Sequence, residues 1–299
     1  MWQQLKDGLL KGDTKSLARC ISLVENEAEG YEAFMKSLEI PAQQNIIGIT
    51  GPPGAGKSTL TDALIGAFVE DGNKVAVLCV DPSSPFNLGA VLGDRIRMSE
   101  WYNHPGVYIR SLASRGSMGG LHPRIIEIAD MLKAAGFDKI IIETVGVGQS
   151  EIEIAGLADI TIVVLVPESG DEIQTMKAGL MEIADLFVVN KSDRPDADSF
   201  VKNLRLMLAP AFQRQQHEIP VVKTIASQKA GIGELYEHIN KLVVAENRKD
   251  LKIHLLAEKT YQLIQQKRMK DVSLELLKKA IASQNINDFN LYRFAKQFY

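Results

Sequence analysis

Residues 45–58 read NIIGITGPPGAGKS, an aliphatic run that breaks into a glycine-rich loop closed by Lys-Ser. Gly51, Gly56, Lys57 and Ser58 match G-x-x-x-x-G-K-[ST] without a gap, and Gly54 adds a third glycine inside it. The loop Gly51-Pro52-Pro53-Gly54-Ala55-Gly56 is expected to wrap a phosphate chain with backbone N–H groups turned inward. TLTDALIGAF, which follows, has the character of a helix whose positive N-terminal end faces the same anion. Lys57 is expected to reach the β- and γ-phosphates, Ser58 to offer its hydroxyl to Mg²⁺, and Thr59 to lie near the α-phosphate.

Outward from this loop, short Val/Ile/Leu-rich runs alternate with amphipathic segments. The runs lie at 45–50, 75–80, 106–112, 139–144, 160–166, 186–190 and 221–226, with helix-like stretches at 57–71, 122–135, 171–184 and 231–244 between them. Continuous aliphatic runs suit strands covered on both faces, so the spacing predicts an α/β doubly wound domain with a mostly parallel sheet. Residues 1–43 and 246–299 carry apolar residues at helical spacing. The expected division is an N-terminal helical extension (1–43), a P-loop domain (44–245) and a C-terminal helical segment (246–299).

Composition narrows the partners. The 299 residues are 45% hydrophobic and 24% charged, with a net charge of −3, which gives no electrostatic reason to expect nucleic acid or an anionic membrane. No run approaches the ~18 apolar residues of a membrane span. Two distant cysteines, Cys20 and Cys79, read as small buried apolar residues of a protein in the reducing cytoplasm.

The identity of the base is written at FVVNKSDRPD. Asn190-Lys191-x-Asp193 ends a predicted strand, where ligands of open α/β sheets bind. One carboxylate can pair with both N1–H and the 2-amino group of guanine, whereas adenine would turn a lone pair towards it. Asp193 is therefore expected to be a buried acid holding the purine edge, with Asn190 on the O6/N7 side and the Lys191 stem over the ring. A site of this type discriminates by up to ~10⁴-fold, because the wrong base leaves its polar groups unpaired. Ala226, in KTIASQKAG, is placed to direct a backbone N–H at O6. The nucleotide pair expected is GTP and GDP.

Acids close other strands. Asp81 ends the second run, Asp94 lies in the loop beyond it, and Glu143 ends KIIIE, three residues before Gly146. A strand-end acid can orient Mg²⁺ through its waters, and a glycine N–H can touch the γ-phosphate. Asp94 suits the orientation of water better than its full deprotonation. Such an acid alone reads equally as a helix cap. Gln149 has the right chemistry for positioning water but sits three residues after Gly146, not one.

Taken in order, GPPGAGKST, VDPSSPFNLGAVLGDRIRM, SRGSMGGLH, ETVGVGQSE, SGDEIQTMKAGLMEIAD and VVNKSD resemble the MeaB/ArgK family of P-loop GTPases. The resemblance implies a Mg²⁺-dependent GTP hydrolase, slow alone, with Ser58, Asp81 and Glu143 at the metal and Lys57, Asp94 and Glu143 in catalysis. It implies a homodimer and a chaperone that gates cofactor loading and protects an adenosylcobalamin-dependent mutase of the methylmalonyl-CoA mutase type. It also implies a switch over 166–177 in which Gln174 and Lys177 respond to the partner; read from the residues alone, Lys177 is a solvated helix lysine. Two alternatives stand beside it: a nickel-insertion metallochaperone GTPase, and a kinase of a periplasmic amino-acid transport system.

Overall fold

All seven aliphatic runs form strands in the computed structural model, which describes residues 1–41, 45–81, 98–114, 121–144, 150–169, 181, 183–215, 219–243, 249–269, 271–284 and 289–298. The strands are β1 (Asn45–Thr50), β2 (Val75–Asp81), β3 (Val107–Ala113), β4 (Lys139–Glu143), β5 (Ile160–Leu165), β6 (Leu186–Val189) and β7 (Val221–Lys223). They make one sheet in the order β3-β2-β4-β1-β5-β6-β7. Every neighbouring pair is parallel. The carboxyl ends therefore gather along one edge, with β1 in the middle and the order reversing around it. That reversal opens a crevice for a ligand.

The helices cover both faces. Three lie at the N-terminus, α1 (Trp2–Leu10), α2 (Thr14–Glu25) and α3 (Tyr31–Ser37), followed by α4 (Lys57–Glu70), α5 (Ile125–Ala134), α6 (Ser150–Leu157), α7 (Ala197–Gln215) and α8 (Ile232–Val243). On one face Leu60, Leu64 and Phe68 of α4 and Leu235 and Ile239 of α8 pack on Ile47, Ile49, Val77, Ile141, Ile162 and Val188. On the other, Phe200, Val201, Leu204 and Leu208 of α7 cover Val163, Leu165, Phe187 and Val189. Each fully buried aliphatic or phenyl side chain contributes about 1.5–3 kcal/mol. Gly48 lets α6 close on β1, since a Cβ there would stand 2.6 Å from Ile154 Cγ1.

The chain divides into two compact units, Met1–Lys249 and Asp250–Tyr299. The N-terminal helices belong to the first. Glu25 at the end of α2 pairs with Arg110 of β3, and Glu27 pairs with Arg124 at 2.6 Å. Helices α9 (Lys249–Arg268), α10 (Leu274–Ala282) and α11 (Leu291–Ala295) follow. In α10 no residue is buried, and Leu274, Leu276, Leu291 and Tyr292 are exposed.

Candidate nucleotide site

The P-loop leaves β1 at the centre of the carboxyl edge. Gly51 has φ 139° and Gly56 φ 88°. A Cβ at Gly51 would stand 2.1 Å from the Val164 carbonyl oxygen, and one at Gly56 would stand 2.4 Å from Asn190 Nδ2. Both glycines are demanded by close approach as well as by backbone angle. Gly56 is the N-cap of α4 and brings no capping side chain, so the helix opens directly onto the loop, the arrangement in which a helix end receives an anion. Lys57 is buried and arches back over the loop, its Nζ donating to the carbonyls of Gly51 at 3.0 Å and Pro52 at 3.1 Å. Pro53 and Gly54 are exposed, Ala55 is buried, and Thr59 is half-buried in the first turn of the helix.

Glu143 closes β4 beside the loop, in register with Ile49 of β1 and Cys79 of β2. The residue is 4% exposed, and its carboxylate accepts the Ser58 hydroxyl at 2.6 Å on Oε1 and the Thr61 hydroxyl at 2.9 Å on Oε2. A hydroxyl that donates its proton keeps lone pairs for a second partner, so Ser58 can hold Glu143 and still face a cation. A hydroxyl and a carboxylate are hard oxygen donors of the kind Mg²⁺ selects, so the residues present fit that ion. Asp81 ends β2 two residues beyond Cys79, at the same edge. The Thr144 hydroxyl donates to that of Thr50 at 2.8 Å and ties the ends of β4 and β1.

The expected base-binding residues converge on the far side of the loop through Asn190, which is 2% exposed. Its Nδ2 donates to the Ala55 carbonyl at 3.0 Å, and its Oδ1 accepts the Thr224 hydroxyl and the Ala226 N–H, each at 3.1 Å. Asn190 and the Ala226 amide thus face each other here, and the side chain staples three segments together. Lys191, with φ 56°, donates to the Gly54 carbonyl at 2.8 Å, which lays its stem along the loop. Asp193 is exposed, not buried as expected: Lys191 is left-handed, and Asp193 lies on the turn that follows, in which the Arg194 N–H donates to the Lys191 carbonyl at 3.1 Å.

Asp94, Gly146, Gln149, Gln174 and Lys177 lie outside the described residues, as does the side chain of Asp81. Sequence reasoning missed Thr61 and Thr224. Both stand at an offset that could have revealed them, Thr61 three residues after Ser58 on one helix face and Thr224 two before Ala226.

Residues 17–284 match the family described as "Methylmalonyl Co-A mutase-associated GTPase MeaB". The chain belongs to the MeaB family. Its similarity to a putative GTPase of Pyrococcus abyssi is 47% identity over 81% of this chain and 76% of that one. It is 35% identical to the GTPase ArgK of Escherichia coli K12 over 95% of this chain and 86% of that protein. A fused isobutyryl-CoA mutase of Geobacillus kaustophilus is 39% identical over 74% of this chain, a match spanning 22% of that longer protein. Among solved structures, an LAO/AO transport system kinase superposes with a TM-score of 0.69 at 26% identity, covering 99% of this chain and 96% of that one. The MeaB fold, a parallel P-loop sheet, and GTP hydrolysis are thereby established, and membership implies guanine-nucleotide binding.

Proposed function

We propose that this MeaB-family GTPase is a chaperone of an adenosylcobalamin-dependent acyl-CoA mutase, gating cofactor loading and protecting the loaded enzyme in the cytoplasm. The observation that carries the reading is the Geobacillus protein, a fused isobutyryl-CoA mutase in which a segment resembles three-quarters of this chain. A GTPase joined covalently to its client in one relative is a natural separate partner in another. The family description points the same way.

In this reading the P-loop amides and Lys57 take up the phosphate charge, and Asp193 reads the guanine edge. Ser58, Asp81 and Glu143 hold Mg²⁺, which when bound neutralises charge on the β- and γ-phosphates. Asp94 orients the attacking water and the Gly146 N–H contacts the γ-phosphate. Loss of that phosphate releases the loops, and Gln174 and Lys177 of segment 166–177 pass the change to the mutase. Residues 44–245 form the GTPase domain and 1–43 its helical extension. Residues 246–299 serve dimerisation, an assignment supported by the exposed leucines of α10 and α11 and readable by light scattering on the full chain.

GTP turnover measured alone and with the cognate mutase tests the proposal. The rate should be slow alone and rise when the mutase is added. An unchanged rate with an active cognate mutase that binds the protein would contradict it.

A further inference from the structure

Thr61 has no place in the P-loop motif, yet it is fully buried, and its hydroxyl is spent on the acid at the end of β4. A threonine within a helix commonly points its hydroxyl to solvent or back to the carbonyl one turn earlier. Here the hydroxyl instead reaches across to Glu143 Oε2 at 2.9 Å, while Ser58 holds Oε1 at 2.6 Å. Ser58 and Thr61 stand three residues apart and so share one face of α4. Together they grip both oxygens of one carboxylate, which fixes its rotation about the terminal bond.

We infer that Thr61 is a positioning residue for GTP hydrolysis, setting the orientation in which Glu143 supports the Mg²⁺ site. The inference rests on the reading of Ser58 and Glu143 as magnesium-site residues. The Ser58 hydroxyl has two tasks, to donate to Glu143 and to face the cation with a lone pair. Thr61 has only the first. Its bond therefore keeps the carboxylate aligned through any rearrangement of Ser58 during turnover. Outer groups of this kind, which orient a ligand without touching the metal, are worth about 10–100-fold in metal affinity or activity.

The test compares wild type, Thr61→Val and Thr61→Ser as full-length proteins. Valine keeps the shape and removes the hydroxyl; serine restores it. Three quantities are read: Mn²⁺ affinity of the GDP complex by electron paramagnetic resonance, the Mg²⁺ concentration that half-saturates GTP turnover, and thermal stability without nucleotide. The Thr61→Val protein should bind Mn²⁺ about 10-fold more weakly and need correspondingly more Mg²⁺. Its KM for GTP at saturating Mg²⁺ should be little changed, and Thr61→Ser should recover most of the loss. A Thr61→Val protein that is less stable but keeps wild-type Mn²⁺ affinity and Mg²⁺ dependence overturns the inference, leaving Thr61 a packing residue. Wild type that holds no Mn²⁺ with GDP overturns the magnesium-site reading instead, and the two failures are distinguishable.

Discussion

Asn190 is the residue that ties the P-loop to the segment proposed to meet the base. Its amide joins Ala55 in the P-loop to Thr224 and Ala226 beyond β7. Asn190→Ala would strand these buried groups, and each unsatisfied group costs about 1–3 kcal/mol. We expect a loss on the order of 3 kcal/mol in urea unfolding of the nucleotide-free protein. A base-contact residue with no structural role would weaken nucleotide binding and leave that unfolding curve in place. From sequence, Asn190 was legible as a member of N-K-x-D, but not as a staple. Its bonds to Ala55 and Ala226 span 135 and 36 residues, and nothing in a linear motif encodes them. Asp193 was misjudged for a related reason: burial depends on the turn that follows the strand, and a positive φ at a lysine has no sequence signature.

At the level of elements, the strands and the P-loop helix were the most legible parts. A strand covered on both faces must be aliphatic throughout, and a phosphate loop must have glycine where the chain passes another backbone. The observed ranges of β1, α4 and α8 lie within a residue of the expected ones. Helix α2 shows how a single cap adds to this. Asp13 accepts the Ser16 hydroxyl at 2.6 Å, the Ser16 N–H at 2.9 Å and the Lys15 N–H at 3.3 Å. The Ser16 hydroxyl foremost, then the backbone bonds, hold its pKa below the ordinary 3.8. A carboxylate whose folded pKa lies below its unfolded one stabilises fully above the unfolded value, and that contribution fades as pH falls through the folded value. Asp13→Ala should therefore melt below wild type at neutral pH, the difference narrowing as pH falls below the ordinary carboxylate value of 3.8. A difference independent of pH would show that the charged cap contributes nothing beyond shape.

For the whole molecule, the N-terminal helices and the catalytic edge belong to one unit. The sequence reads residues 1–43 as an appendage because their anchors are far away. Glu25 meets Arg110 across 85 positions and Glu27 meets Arg124 across 97. Only the doubly wound topology brings β3 and the start of α5 under α2, and long-range ion pairs leave no trace in local periodicity. The edge that results brings Gly51–Ser58 after β1, Glu143 at the end of neighbouring β4 and Asn190–Asp193 after β6, one strand further out across β5, to the same side of the parallel sheet. In the proposed function this edge selects guanine through Asp193 and anchors its phosphates on the loop. Calorimetric titration of GTP, ATP and xanthosine triphosphate into wild type and Asp193→Asn tests it most directly. Wild type should favour GTP over ATP by at least about 100-fold, and Asp193→Asn should lose GTP affinity and gain it for the xanthine nucleotide, whose C2 oxygen needs a donor. Equal binding of ATP and GTP by wild type, or unchanged GTP binding by Asp193→Asn, would contradict it.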